Sequence, residues 1–279
     1  MTQLLIELGT EELPPKALRK LADAFTQGVT SRLQDAGLSV GETQTFATPR
    51  RLAMLLDEVQ LKQQDQIVEK RGPALAAAFD AEGNPTKAAE GFARSCRVAV
   101  SELQQRETDK GIWLFFEQVQ PGRTLQQLLP GIINDALAGL PIPKRMRWGA
   151  RDVEFVRPVH WLVVMLNDTV VECDVLGLQA TNQTYGHRFH APEPITLAQA
   201  GDYQQSLHQA RVEADFDQRR DTIRREIEAM AKKLGGQVLI DPELLDEVTA
   251  LVEWPVAVSG RFDDEFLEVP PEALVTTMQ

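Results

Sequence analysis

Cysteine is scarce in this 279-residue chain, which contains only Cys96 and Cys173. Two cysteines permit at most one disulfide bridge, and their positions lack the paired spacing of cysteine metal sites. We therefore interpret both as packing residues and expect no metal site. Sparse, unpaired cysteine is typical of a reducing compartment, so we expect a cytoplasmic protein.

Long apolar runs are also missing. The longest strongly apolar run, residues 161–166, is far shorter than the roughly 20 residues that cross a bilayer. Near the start of the chain, Glu7, Glu11 and Glu12 stand where a signal peptide would carry basic residues before an apolar core. We therefore expect neither a membrane-bound nor an exported protein.

Several motifs of nucleotide binding and hydrolysis do not occur. The sequence contains neither of the glycine-rich phosphate loops, G-x-G-x-x-G and G-x-x-x-x-G-K, in which glycine lets backbone N–H groups approach phosphates. It also lacks the serine-hydrolase motif G-x-S-x-G and the zinc-protease motif H-E-x-x-H. We assign no catalytic residue to this chain.

The composition that remains is that of a folded acidic protein, 43% hydrophobic and 25% charged, with a net charge of −12. Residues 202–279 hold 17 acidic and 8 basic residues, so most of the acidity is C-terminal. Residues 141–160, by contrast, are locally basic and place arginines beside Trp148 and Phe155. This pattern suits phosphate contacts and base stacking, although composition alone favours a solvated basic face.

Hydrophobic periodicity predicts an α+β fold with a mixed sheet. Strands are predicted at 4–8, 51–61, 112–119, 159–166, 170–178 and 256–259, with a hairpin at Asn167 and Asp168. Helices are predicted at 15–36, 73–79, 87–95, 125–140, 203–234 and 243–252, and a last one opens at Pro270 and Pro271. The predicted organisation is an α+β lobe at 1–200, with a helical excursion at 63–110, followed by a mainly helical segment at 201–279. Because the last helix has only about two turns, we expect a truncated chain.

A few polar residues stand at positions that suit binding. Arg50, Arg51, Arg71 and Arg157 lie at turns or at strand starts, where a guanidinium can meet a phosphate, but internal ion pairs explain such arginines equally well. Glu11 and Glu12, at a strand-to-helix turn, are interpreted as structural or interfacial rather than as an acid–base pair.

The spacing of His187, His190 and Glu193 would suit a metal on a helix. Pro192 and Pro194 oppose a helix there, which favours a loop where His187 and Arg188 pack or touch an anion.

Eight segments together resemble the beta subunits of bacterial heterotetrameric glycyl-tRNA synthetases. They are IELGTEELPPKAL (6–18), ATPRRLA (47–53), EKRGPA (69–74), TKAAEGFAR (86–94), LPIPKRMRWG (140–149), FVRPVHW (155–161), GHRF (186–189) and LVEWPV (251–256). They follow the family's order over nearly the whole chain. The resemblance implies an N-terminal part of a longer subunit, cut before an HD-type domain and an anticodon-binding domain.

The resemblance also implies a division of labour. In this family a partner alpha subunit carries the class II active site and uses ATP and magnesium, in an alpha2beta2 complex, while the beta subunit contributes most of the tRNA recognition. No cofactor is expected on this chain, since its R-x-E matches, at Arg211 and Arg224, lie on a predicted helix rather than on a strand. The lobe is expected to resemble the B3/B4 module of phenylalanyl-tRNA synthetase.

The expected function is therefore binding of glycine tRNA and assembly with the alpha subunit. Charge and context motivate this hypothetical tRNA-binding set: Arg145, Arg147, Arg151, Arg157, His187 and Arg188, followed by Arg50, Arg51 and Arg71. Two alternatives stay open: a scaffold for the alpha subunit without RNA contact, and an editing hydrolase that acts on mischarged tRNA.

Overall fold

The computed structural model describes residues 2–150 and 152–278, which form two compact units. One unit comprises residues 1–61 and 125–279, and the other comprises Lys62–Thr124. Residues 201–279 thus belong to the same unit as most of the predicted lobe, so the division of the structure differs from the predicted boundary at residue 200.

The described chain contains runs of strands and runs of helices, and its strands pair antiparallel, as expected for the α+β class. The strands are β1 (Gln3–Thr10), β2 (Thr43–Thr48), β3 (Arg51–Asp57), β4 (Gln66–Ala74), β5 (Gln104–Thr108), β6 (Gly111–Gln120), β7 (Met146–Arg147), β8 (Glu154–Phe155), β9 (Val159–Leu166), β10 (Thr169–Val170), β11 (Asp174–Val175), β12 (Leu178–Gln179), β13 (Gln183–Tyr185) and β14 (Pro194–Thr196). The helices are α1 (Pro15–Asp35), α2 (Leu75–Ala78), α3 (Lys87–Cys96), α4 (Leu125–Ala138), α5 (Tyr203–Gln209), α6 (Phe216–Leu234), α7 (Pro242–Thr249) and α8 (Pro271–Met278). The predicted fold class is confirmed.

The larger unit is built on a five-stranded sheet with the order β10-β9-β1-β3-β2. Its strands pair antiparallel, and β1 lies at the centre between β9 and β3. Because side chains alternate along a strand, Leu4, Ile6 and Leu8 of β1 enter one core with α1 and α4. Leu5 enters a second core with Tyr203, on the opposite face. This central strand also carries Glu7 into the interior.

Helix α1 confirms the predicted helical periodicity. It begins with a proline in its first turn, a position where a missing N–H costs no hydrogen bond. All five predicted core positions are buried, namely Leu18, Leu21, Phe25, Val29 and Leu33. Helix α4 is also confirmed and packs beside α1, where Gly28 approaches Ala136 closely.

The predicted hairpin at Asn167 is confirmed, since Asn167 adopts the left-handed conformation (φ 54°) and β9 pairs with β10. The following predicted strand, 170–178, breaks into three short pieces, β10, β11 and β12. The cause is a tight turn at Leu176 and Gly177, which have φ of 53° and 73° and fold β11 back onto β12.

The long helix predicted at 203–234 is interrupted. Helix α5 ends at Gln209, Arg211 takes a left-handed conformation (φ 61°), and Asp215 then caps α6 by accepting a 2.9 Å hydrogen bond from the Gln218 N–H. The cap of α7 by Asp241 matches the prediction.

Two strand predictions are wrong in whole or in part. Residues 256–259 have no strand, and β3, which was predicted to reach residue 61, ends at Asp57 because Glu58 has φ 53°. Strand β2 was not predicted from the sequence.

The smaller unit, Lys62–Thr124, is not only a helical excursion. Helices α2 and α3 confirm the two predicted there, but β4 and β5 flank β6 in a three-stranded antiparallel sheet with the order β4-β6-β5. A small core of Ala78, Ala89 and Leu114 joins these helices to β6. The prediction of helix alone for 63–110 is therefore wrong for β4 and β5.

Candidate nucleic-acid interface

A buried polar network lies in the larger unit, on the face of the sheet that carries Glu7. The Arg51 guanidinium, with 0% exposure, pairs with Glu7 at 3.3 Å and with Glu253 at 3.2 Å. Its Nε donates to Thr48 Oγ1 at 3.1 Å, and the Thr48 hydroxyl donates to Glu253 at 2.7 Å. Arg51 therefore has no surface to offer RNA, and the structure removes it from the expected tRNA-binding set as an internal ion-pair residue.

Glu7 is the second carboxylate of this network. The hydroxyls of Thr184 and Tyr203 donate to Glu7 Oε1 at 2.9 and 3.0 Å. Burial raises the pKa of Glu7, and the Arg51 charge offsets part of that rise. For Arg51 itself, burial opposes the charge, but Glu253 and Glu7 outweigh it and raise its pKa.

Arg219 of α6 is a second buried arginine. It donates to the carbonyls of Thr249 at 3.0 Å, Glu213 at 2.6 Å and Ala47 at 2.7 Å. Burial lowers its pKa to about 10. Because it binds main-chain carbonyls of three separate segments, it joins α6 and α7 to the edge strand β2.

The turn between β1 and α1 organises a cluster of charges on the protein surface. Glu11 accepts from Arg188 Nη2 at 2.8 Å and contacts His160 Nε2 at 3.0 Å. The Glu12 carboxylate lies 3.7 Å from Arg188, and its backbone carbonyl accepts from Arg157 Nε at 2.9 Å. The hydrogen bond from Arg188, with the nearby His160, lowers the pKa of Glu11. We call these five residues, together with Arg50, His187 and His190, the turn surface.

A cavity of about 220 Å³ opens within the turn surface. Its walls include Arg50, His160, Trp161, Tyr185 and Arg188. The Trp161 and Tyr185 rings pack with their centroids 5.0 Å apart, and the Arg50 guanidinium lies 5.7 Å from the Trp161 ring. Burial and the neighbouring Arg188 charge lower the pKa of Arg50. The cavity is therefore cationic on one side and aromatic on the other.

His187 belongs to the loop between β13 and β14. Its Nδ1 accepts from the N–H groups of Phe189 at 3.2 Å and His190 at 3.3 Å, and the two imidazole centroids lie 4.4 Å apart. Burial lowers the pKa of His187, the Glu253 charge opposes this change, and the neighbouring Arg50 charge acts in the same direction as burial. Within residues 2–150 and 152–278, no three His, Cys, Asp or Glu side chains are grouped as metal ligands. Phe189, next to this pair, is 81% exposed.

The other expected RNA-facing residues lie outside the turn surface. Arg145 donates to the Leu137 and Ala138 carbonyls at 3.3 and 2.9 Å, which satisfies the C-terminal end of α4. Arg147 pairs with Glu154 at 2.7 Å across β7 and β8. Arg71 belongs to the smaller unit, where its guanidinium stacks on Trp113 at 3.7 Å. Arg151 lies outside the described residues.

Sequence reasoning missed three members of the site, His160, Trp161 and Tyr185. The alternation of β9 was the available signal, since it turns His160 outward and Trp161 inward beside Arg157. For Tyr185 no comparable pattern exists, because β13 has only three residues.

No described helix combines the length and the apolar character needed to cross a membrane.

The family described as "Glycyl-tRNA synthetase beta subunit" matches residues 4–279. The chain is 55% identical over 276 residues to the glycine–tRNA ligase beta subunit of Hahella chejuensis, covering 99% of this chain and 40% of that protein. It is 52% identical to the beta subunits of Marinobacter nauticus and Pseudoalteromonas translucida, over 99% of this chain and 40% of each relative. The chain thus spans about 40% of the length of the curated relatives that it matches. A family match over nearly every residue, joined by identities above one half, leads to one conclusion: this chain belongs to the glycyl-tRNA synthetase beta-subunit family.

Proposed function

We propose that this chain binds glycine tRNA and assembles with a catalytic alpha subunit, in support of the ATP-dependent attachment of glycine to tRNA. In this proposal the alpha subunit holds ATP and magnesium within an alpha2beta2 complex, and the present chain supplies no catalytic group. Membership in the beta-subunit family supports the role in glycyl-tRNA synthesis.

The observation that carries the tRNA-binding part is the turn surface. It gathers Arg50, Arg157 and Arg188 with three histidines around one strand-to-helix turn. A guanidinium has five N–H donors. The contacts of Arg157 with the Glu12 and Val156 carbonyls, and those of Arg188 with Glu11 and Glu12, therefore leave donors for phosphate oxygens. The acidic whole chain thereby retains a local cationic surface.

The turn carboxylates have a second effect on binding. Glu11 and Glu12 fix the directions of Arg188, Arg157 and His160 before RNA arrives, which lowers the entropy cost of ordering long side chains. Any RNA phosphate must also compete with these carboxylates. We therefore infer modest affinity for any one phosphate and a dependence on correct placement.

Phe189 provides a different type of contact. An aromatic ring with 81% exposure beside cationic groups suits stacking with an unpaired base, the usual mode of recognition of single-stranded RNA. The phosphate donors of the turn surface thus have one stacking ring, Phe189, beside them, which favours RNA over a purely acidic protein partner.

The test is fluorescence anisotropy of labelled glycine tRNA titrated with the full-length beta subunit in complex with its partner, at several salt concentrations. We expect a variant with both Arg157→Gln and Arg188→Gln to bind more weakly and to lower the slope of log K against log salt by about one for each lost phosphate contact. Arg19→Gln is the matched control, because Arg19 is an exposed arginine paired with Asp217 outside the turn surface.

Two outcomes would contradict the proposal. Unchanged affinity and slope in the double variant would remove these arginines from the RNA interface. If the complex also assembled normally, the scaffold alternative would be favoured. Equal binding of an unrelated tRNA would limit the role of this surface to general RNA affinity.

A further inference from the structure

Arg50 differs from the other arginines of the turn surface because its side chain has neither an ion pair nor a hydrogen bond among the described residues. Arg157 donates to the Glu12 and Val156 carbonyls, and Arg188 pairs with Glu11. The half-buried Arg50 guanidinium lies 5.7 Å from the Trp161 ring, and its buried Nε lacks a hydrogen-bond acceptor. Burying an uncompensated charge is unfavourable, so we expect an anion from outside the described chain to bind Arg50.

The charges around Arg50 make its unpaired cation still less favourable. Burial lowers the pKa of Arg50, and the neighbouring Arg188 and Arg51 cations lower it further, while Glu253 and Glu11 only partly compensate. Glu7 and Glu253 are already engaged by Arg51, and Glu11 by Arg188 and His160. Among the described residues, none of these carboxylates lies within ion-pair distance of Arg50.

The cavity beside Arg50 has the size and the lining for an oxyanion. Its volume of about 220 Å³ is far more than one water molecule needs. Its polar walls come from different parts of the chain: Arg50 precedes β3, His160 belongs to β9, and Arg188 follows β13. The Trp161 and Tyr185 rings form an apolar wall that limits competing water and strengthens charge contacts.

The geometry points to a phosphate-binding site: we propose that this cavity receives one phosphate group of the tRNA chain, with Arg50 as its principal donor. The inference rests on the proposed function. A phosphate within the tRNA chain carries its charge on two non-bridging oxygens of a tetrahedral group, so Arg50 and Arg188, which come from different parts of the chain, can each reach a different oxygen. A carboxylate holds its two oxygens in the plane of a flat group, which is why an acidic peptide fits these separate donors less well.

The experiment has two arms, both on the full-length subunit in its complex. In the first, inorganic phosphate is added at constant ionic strength and the Tm is recorded, because a ligand that binds only the folded state raises Tm. We expect phosphate to raise the Tm of the wild type and of Arg19→Gln, but not of Arg50→Gln. In the second arm, the salt dependence of tRNA binding is measured, and we expect Arg50→Gln to lower the log–log slope by about one.

A second substitution covers the case in which Arg50→Gln does not fold. Arg50→Lys keeps the charge but loses the planar fork, so it should retain part of the phosphate effect and of the tRNA affinity. Circular dichroism spectra check the fold of both variants. If Arg50→Lys matched the wild type in both arms, the assignment of the Arg50 guanidinium as the principal donor would be overturned.

The outcomes separate this inference from the proposed function. Steep salt-dependent tRNA binding that Arg50→Gln leaves unchanged would overturn the cavity site while the tRNA-binding proposal stands. A phosphate effect that depends on Arg50, with no tRNA binding by the wild type, would assign the cavity to a free anion and overturn both proposals for RNA. Absence of a phosphate effect in the wild type, with an unchanged slope in Arg50→Gln, would overturn the site altogether.

Discussion

Arg51 is the cation that neutralises both buried carboxylates of the network, Glu7 and Glu253. Two carboxylates, Glu7 and Glu253, lie in the interior more than 200 residues apart along the chain, and each depends on the same guanidinium. Arg50, its neighbour in sequence, faces the cavity instead. Adjacent residues of one type therefore have opposite tasks, one in stability and one in proposed binding.

The first prediction separates these tasks by stability. Arg51→Gln leaves two buried carboxylates without their cation, so we expect it to lower the free energy of unfolding by about 3–5 kcal/mol. Arg50→Gln removes no ion pair and should change it by less than about 1 kcal/mol. Urea unfolding of this chain measures both. Equal destabilisation by the two substitutions would contradict the network described for Arg51.

The second prediction concerns Cys173. Burial, together with the adjacent Asp174, raises the pKa of its thiol to about 11. Since the thiolate is the reactive form, Cys173 should resist iodoacetamide near neutral pH in the folded protein and react once urea unfolds it. Mass spectrometry of the alkylated peptides follows this residue. Native-state labelling at the rate of an exposed thiol would show that the interior around Cys173 is accessible.

At the scale of elements, glycine-to-alanine substitutions in β1 and α4 should change the stability of the protein in opposite directions. A Cβ on Gly9 would lie 1.8 Å from the Trp161 ring, in the pairing of β1 with β9. Gly131 lies in α4, and a Cβ added to it would have no neighbouring atom within 4 Å. We expect Gly9→Ala to destabilise by at least about 1–3 kcal/mol, and Gly131→Ala to stabilise by about 0.5–1 kcal/mol. Thermal unfolding compares them, and a neutral Gly9→Ala would refute the close contact with Trp161.

The β1–α1 turn gives a pH prediction. The pKa of Glu11 is lowered by its hydrogen bond from Arg188, so its stabilising effect is present above the ordinary carboxyl pKa and is lost as the pH falls through the lowered value. Unfolding free energies of the wild type and Glu11→Gln should therefore converge as the pH falls from above the ordinary carboxyl pKa of 4.5 through the lowered pKa of Glu11. The difference is small because Glu11 is 41% exposed. Glu12→Gln is the control, because the one ion pair of Glu12 within the described residues is 3.7 Å long. A Glu11→Gln difference that grew in acid would contradict the pairing.

How far the sequence predicts the elements depends on their periodicity. Helix α1 was predicted correctly because its buried positions follow the helical period, and β9 because it is one continuous apolar run. The break between α5 and α6 was missed because Val212 continues the apolar stripe while Arg211 turns the backbone. In the smaller unit, β4 is half polar and exposed, so its pairing with β6 left no clear pattern.

At the scale of the whole molecule, the candidate site depends on contacts distant in sequence. The sequence singled out Arg157, His187 and Arg188, and the structure brings all three to the turn surface. It could not tell Arg50 from Arg51, because both follow one proline and only the register of β3 buries the second. Arg145 was misleading for the same reason, since its carbonyl partners at the end of α4 are fixed by tertiary packing.

The turn surface is the site at which we propose that this chain binds tRNA. Amide hydrogen exchange of the full-length beta subunit in complex, with and without glycine tRNA, tests it most directly. The account predicts slower exchange on tRNA addition at residues 10–13, 159–161 and 186–191, which carry Glu11, His160 and Arg188. Protection confined to other parts of the complex, with these three segments exchanging at unchanged rates, would contradict it.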